Sequence, residues 1–213
     1  MTTIAGIAGY IGAIAFLALF GLLTVAARSK PVGRRLMAAC AASVLWFGVQ
    51  AVIYQFQARS GLSADLVLQL EFVRNLAWVV FFSGLLLNLG DAAYRHTIKF
   101  GATVLAVACA FGIALPELLD RVLFGVEFDQ LLVRKWFFCT ALLVVLGVLV
   151  LIEQVFRNTS RDSRWALKHL CFGLGFVFAY DFYLYADAVL FNRLDSVLMS
   201  ARGVVNALAV PMV

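Results

Sequence analysis

LVLQLEFVRNLAWVVFFSGLLLNL, Leu66 to Leu89, sets two charged residues, Glu71 and Arg74, inside an otherwise apolar or neutral run. Its length meets the roughly 20 residues a helix needs to cross the hydrocarbon core of a bilayer. In that core a segment must satisfy all of its own backbone hydrogen bonds, so a run of this kind is predicted to be a transmembrane helix. Five further full runs surround it, at about Ile4 to Ala27, Leu36 to Phe56, Phe100 to Leu115, Leu131 to Phe156 and Leu167 to Leu190. The chain has 64% hydrophobic and 14% charged residues over 213 positions and a mean hydropathy of +0.97, far outside the soluble range. The expected fold class is all-α, a polytopic membrane helix bundle. The first run is too long for the apolar part of a signal peptide and lacks a basic leader, so it is expected to stay as a span. A last apolar segment, Gly203 to Val213, covers about half a span and reads as a truncated seventh helix. Residues 1–213 are thus expected to form one transmembrane domain of a longer protein.

Charge placement orients the bundle. Connections after the first, third and fifth spans carry Arg28, Lys30, Arg34, Arg35, Arg95, Lys99, Arg157, Arg161, Arg164 and Lys168, against Asp91, Glu153 and Asp162. The alternate connections carry Arg59, Arg121, Arg134, Lys135, Arg193 and Arg202, against Asp65, Glu117, Asp120, Glu127, Asp129, Asp187 and Asp195. Short basic loops belong in the cytoplasm, which predicts an external N-terminus. The net charge of +5 is then topological, and no nucleic-acid partner is implied.

The residue types of several chemistries are missing or misplaced. Cys40, Cys109, Cys139 and Cys171 all fall in apolar spans without paired spacing and read as small packing residues. His96 and His169 stand far apart, without nearby Cys or carboxylate at metal-ligand spacing. No phosphate-binding loop, nucleophile elbow or zinc-protease motif is present, so no catalytic residue, metal or cofactor is expected within the chain.

Two constellations remain. In LEFVRNLAW, Glu71, Arg74, Asn75 and Trp78 recur at i, i+3, i+4 and i+7 and share one helical face. A charge at the centre of a span costs about 2.5 to 3.5 kcal/mol on insertion scales, so this face is expected to turn into the bundle and find partners. In AYDFYLYADAVLF, Tyr180, Tyr183 and Asp187 form one stripe, while Asp181 and Tyr185 form its neighbour. At 1.5 Å per residue, Arg74 and Asp181 lie about 12 and 14 Å inside the outer ends of their spans, and this match predicts that Arg74 or Asn75 meets Asp181. Gln50 and Tyr54 join the layer from the second span, on a stripe with Trp46, while Arg202 marks the outer edge of the seventh and Asn206 lies one turn deeper. Two readings of the layer stand side by side: a pocket for a signal molecule, and a polar network that only fixes packing. For Tyr54 and Tyr185 an interfacial aromatic belt is a third. Small residues at Ala5, Ala8, Gly9 and Gly12 predict close helix approach, and Pro116 and Pro211 are expected to bend or end their helices.

The run RWALKHLCFGLGFVFAYDFYLYADAVLFNRLD from Arg164, with ARGVVNALAVP from Ala201 and the earlier LEFVRNLAW, resembles the N-terminal membrane region of the PrsK family. Those proteins are sensor histidine kinases associated with PEP-CTERM and exosortase systems. The resemblance implies a signal-sensing domain in a bacterial inner membrane, followed by a cytoplasmic kinase part that would hold ATP and magnesium and act on a response regulator linked to exopolysaccharide genes. It also implies membrane lipids, an unknown signal molecule and a second copy of the chain as partners. A small transporter or channel component using the intramembrane charges as a relay is the competing class, and a non-sensing assembly module is a third.

Overall fold

The computed structural model describes residues 2–26, 31–55, 64–89, 95–122 and 130–212. These form α1 (Thr2–Ala26), α2 (Pro31–Gln55), α3 (Ala64–Leu89), α4 (Arg95–Val122), α5 (Gln130–Asn158), α6 (Arg161–Phe191) and α7 (Ser196–Ala209), then a 3-10 turn over Val210–Met212. No strand occurs among the described residues. Six helices are long and apolar enough to cross a membrane, and they coincide with the six expected spans.

Several helices extend beyond the apolar runs expected from the sequence, and three of the shifted boundaries have a clear physical cause. Pro31 opens α2, ahead of the apolar run at Leu36, because a proline at the first helical position gives up an N–H that has no partner there anyway. Proline at 116 does not end α4, which continues to Val122; one ladder bond is lost, and such a loss is tolerated in apolar helices. Pro211 does fall where the α-helix gives way to the 3-10 turn. The seventh helix begins at Ser196, well before Gly203. Asp195 sets that start: its carboxylate accepts from the backbone N–H groups of Val197 at 2.7 Å and Leu198 at 3.2 Å, satisfying two of the donors a helix start leaves free. Hydropathy discounts the polar residues of this first turn, whereas the cap and the backbone ladder determine where a helix starts. Asn192 closes α6 in the left-handed conformation with φ 51°, so a four-residue turn, Asn192 to Asp195, joins the two helices.

The helices pack as a closed ring. Helix α1 lies against α2 and α7, α2 against α3, α3 against α5, α5 against α6, and α6 against α7. Helix α4 sits outside the ring, against α3 and α5. Of its most apolar window only 17% is buried, compared with 67% for α3; α3 is therefore the element whose polar residues must be accommodated inside. Small residues allow the ring to close. Added side-chain carbon at Gly9 would crowd Ala51 of α2, at Gly12 would meet the Phe47 ring, and at Gly203 would collide with the backbone of Ala8. The small face of α1 is thus used within the molecule, against both neighbours; the side chain of Ala5 lies outside the described residues. Below the polar layer, Phe16, Phe47, Trp78, Phe81, Phe82 and Phe178 form a buried aromatic core with centroid separations of 5.1 to 6.4 Å, distances at which ring pairs attract. Ile7, Ile14 and Leu17 of α1, Phe100 and Val107 of α4, and Phe172 and Phe176 of α6 face outward, as lipid contact requires.

Candidate functional site

A span that carries charge has to bury it against partners, because unpaired ions in a low-dielectric interior cost several kcal/mol each. Helices α3, α6 and α7 meet this requirement together. Arg74 lies ten residues inside α3 and Asp181 ten residues inside the end of α6, each about 15 Å deep along its helix, while Arg202 lies six residues, about 9 Å, inside α7. Arg74 Nη2 donates to Asp181 at 2.6 Å, the contact that matched depths predict. Arg202 Nε donates to the other oxygen of Asp181 at 2.6 Å. Its Nη1 and Nη2 donate to Glu71 at 2.9 and 2.5 Å, the forked geometry that makes arginine–carboxylate pairs strong. Glu71 and Arg74, one turn apart on α3, stand 3.9 Å from each other and close the set.

Two arginines and two carboxylates therefore form a charge-neutral network across the ring, linking α3 to α6 and α7, neither of which is its neighbour in the ring. Burial is complete at Asp181 and Arg202. Asn75 adds an acceptor for Arg74 at 3.1 Å, and both guanidinium groups lie over Trp46 of α2, at 4.4 and 4.6 Å from the ring centroid. A cation over a desolvated indole gains about 2 kcal/mol. Trp46 is held in turn by its N–H donating to the Val67 carbonyl at 3.0 Å. Tyr185 lies one turn from Asp181, with Arg202 5.7 Å from its ring centre. Its hydroxyl is buried and has no hydrogen-bond partner among the described residues.

The other expected positions divide. Gln50 and Asn206 are buried beside the network, and Asn206 Nδ2 donates to the Arg202 carbonyl at 2.8 Å. Arg202 is a central member of the network, a correction to its expected place at the outer edge, and follows from the earlier start of α7. Trp78 belongs to the aromatic core and donates its N–H to Ser43 at 3.2 Å. Tyr180 donates to the Leu198 carbonyl at 2.7 Å and so fastens α6 to α7. Tyr183 is 57% exposed on the outer face and is not part of the layer. Asp187 is half-buried on the flank. The side chain of Tyr54 lies outside the described residues. Trp46 takes part through its ring, as a member of the second-span stripe that the sequence reading sets in this layer. Its spacing of i, i+4 with Gln50 is the signal that marks it.

Among the described residues no group of His, Cys, Asp and Glu is placed to hold a metal ion. The arrangement offers a rigid, neutral junction between three helices, and an anion or cation entering it would have to exchange with a member. No family model, curated protein or solved structure matches this chain.

Proposed function

We propose that this chain is the membrane-embedded signal-sensing domain of a bacterial two-component sensor histidine kinase in the inner membrane, with its N-terminus outside, linked to exopolysaccharide and PEP-CTERM regulation. One observation carries the reading: the three sequence blocks that bear the family resemblance are the ones that meet in the buried network, LEFVRNLAW through Glu71 and Arg74, the sixth-helix block through Asp181, and the last block through Arg202. Helix α7, which in a receptor of this kind leads toward the kinase, is tied by a single side chain to acids on two other helices. A signal that favours a different set of partners for Arg202 would turn or slide α7, by as much as its affinity differs between the two arrangements. Such a shift operates between discrete packings, since a forked ion pair is either made or broken.

The test uses the product of the native gene in its own membranes. Incubation with labelled ATP is expected to place phosphate on the polypeptide that carries this chain, and Asp181→Asn is expected to change the amount. Absence of phosphorylation, with proton or ion flux in proteoliposomes of the chain, would overturn the reading in favour of a transport component. Orientation is checked in a cysteine-free background: an impermeant maleimide added outside is expected to modify Asn192→Cys and to spare Thr97→Cys.

A further inference from the structure

Around the network, five buried polar atoms keep hydrogen-bonding capacity that no described residue uses: Gln50 Oε1 on α2, Arg74 Nη1 and Asn75 Nδ2 on α3, the Tyr185 hydroxyl on α6, and Asn206 Oδ1 on α7. Each of these side chains is at most 2% exposed. Turning the two asparagine amides over does not help. Asn206 would give up its 2.8 Å bond to the Arg202 carbonyl, and Asn75 would present an N–H to the Arg74 guanidinium from which its oxygen now accepts at 3.1 Å. All five belong to the network or stand within one turn of a member, Gln50 following Trp46 and Tyr185 following Asp181 at i+4. An unpaired buried polar atom costs about 1 to 3 kcal/mol, a heavy load when five occur together.

We propose that the middle of the helix ring binds a small neutral hydroxylic ligand, ordered water or the hydroxyl groups of a polyol, which accepts from Arg74 and Asn75 and donates to Gln50 and Asn206. The charge count selects a neutral species: two arginines already balance two carboxylates, and an added ion would leave net charge in a site with no solvent to screen it. The atom types select a hydroxyl: two free donors, two free acceptors and a tyrosine hydroxyl that can act as either are served together only by a group that both donates and accepts. Buried water typically makes about three hydrogen bonds to such groups, at on the order of one molecule per 27 residues. The neighbouring aromatic core offers the opposite environment, with Trp78 packed on Phe81, Phe82 and Phe178 and its one donor already bonded to Ser43. The binding site stands whether or not the chain belongs to a kinase.

Radiolytic labelling in heavy-oxygen water tests it on the chain in lipid nanodiscs. Radicals formed from bound water oxidise the nearest aromatic side chains, so Trp46 and Tyr185 are expected to take up several-fold more label than Trp78, which is equally buried in the dry core. A second measurement is the sign of the Tm change for Gln50→Leu. With a bound hydroxylic ligand the substitution strands that ligand's donor, and Tm falls. In a dry site it removes an unpaired oxygen, and Tm rises. Label on Trp46 and Tyr185 no greater than on Trp78 overturns the proposal, and so does a rise in Tm. Sorbitol separates the two sources. A larger Tm increase in the wild type than in Asn75→Leu assigns the site to a polyol, and equal increases assign it to water.

Discussion

At the scale of the residue, Arg202 holds the arrangement together, because among the described residues it alone hydrogen-bonds both acids. Arg202→Ala leaves Glu71 and Asp181 sharing Arg74, one uncompensated negative charge in a dry interior. Removing one partner of a buried pair costs about 3 to 5 kcal/mol, so a large fall in thermal stability in micelles is expected. Adding Asp181→Asn restores neutrality, and the double variant is expected to be less destabilised than the sum of the two single changes, read as a coupling energy in a double-mutant cycle. Additive losses would show that the two side chains act independently. The meeting of Arg74 with Asp181 was legible from depth along two helices. The exclusion of Tyr183 follows from azimuth: at 3.6 residues per turn it stands about 200° round α6 from Asp181, whereas Tyr185 stands about 40° away. Stripe counting from Tyr180 selects a consistent face, yet not the one that turns inward. Only the packing of α6 between α5 and α7 distinguishes the two.

At the scale of the element, α7 is short and depends on what fixes its ends and flank. The Asp195 carboxylate caps it and the Tyr180 hydroxyl bonds the Leu198 carbonyl. Asp195→Ala is expected to cost about 1 kcal/mol as a lost N-cap, and Tyr180→Phe about 1 kcal/mol as a lost hydrogen bond. Amide exchange measures both: the first-turn amides of α7 are expected to exchange faster in either variant, while those of α3 and α5 keep their rates. Unchanged exchange in α7 would show that the network alone holds it. The cap was readable, since Asp followed by Ser-Val-Leu is a helix-start signal, but a hydropathy window passes over a polar first turn. The same window registers Leu36 rather than Pro31 as the start of α2. Apolar content marks where a helix meets lipid, whereas capping and backbone geometry mark where it begins.

At the scale of the whole molecule, ring closure rests on the seam between α1 and α7, where Gly203 lies on the backbone of Ala8. Gly203→Ala is expected to force the two helices apart and to lower Tm. Gly21→Ala, at an exposed helical position with open space around it, is expected to raise stability by up to about 1 kcal/mol through helix propensity. Equal effects at the two sites would remove the seam from the account. Composition and run length by themselves determined that this chain is an all-helical bundle with six membrane-length spans, because the bilayer admits few other solutions to backbone hydrogen bonding. They also determined that Glu71, Arg74 and Asp181 had to turn inward, since charge in hydrocarbon must find a partner. Matched depth pointed Arg74 toward Asp181, but the partner of Glu71 was decided by tertiary structure alone. The order of helices around the ring, the place of α4 outside it and the entry of Arg202 between two acids depend on contacts between residues far apart in sequence, such as Glu71 with Arg202, and no local period encodes those.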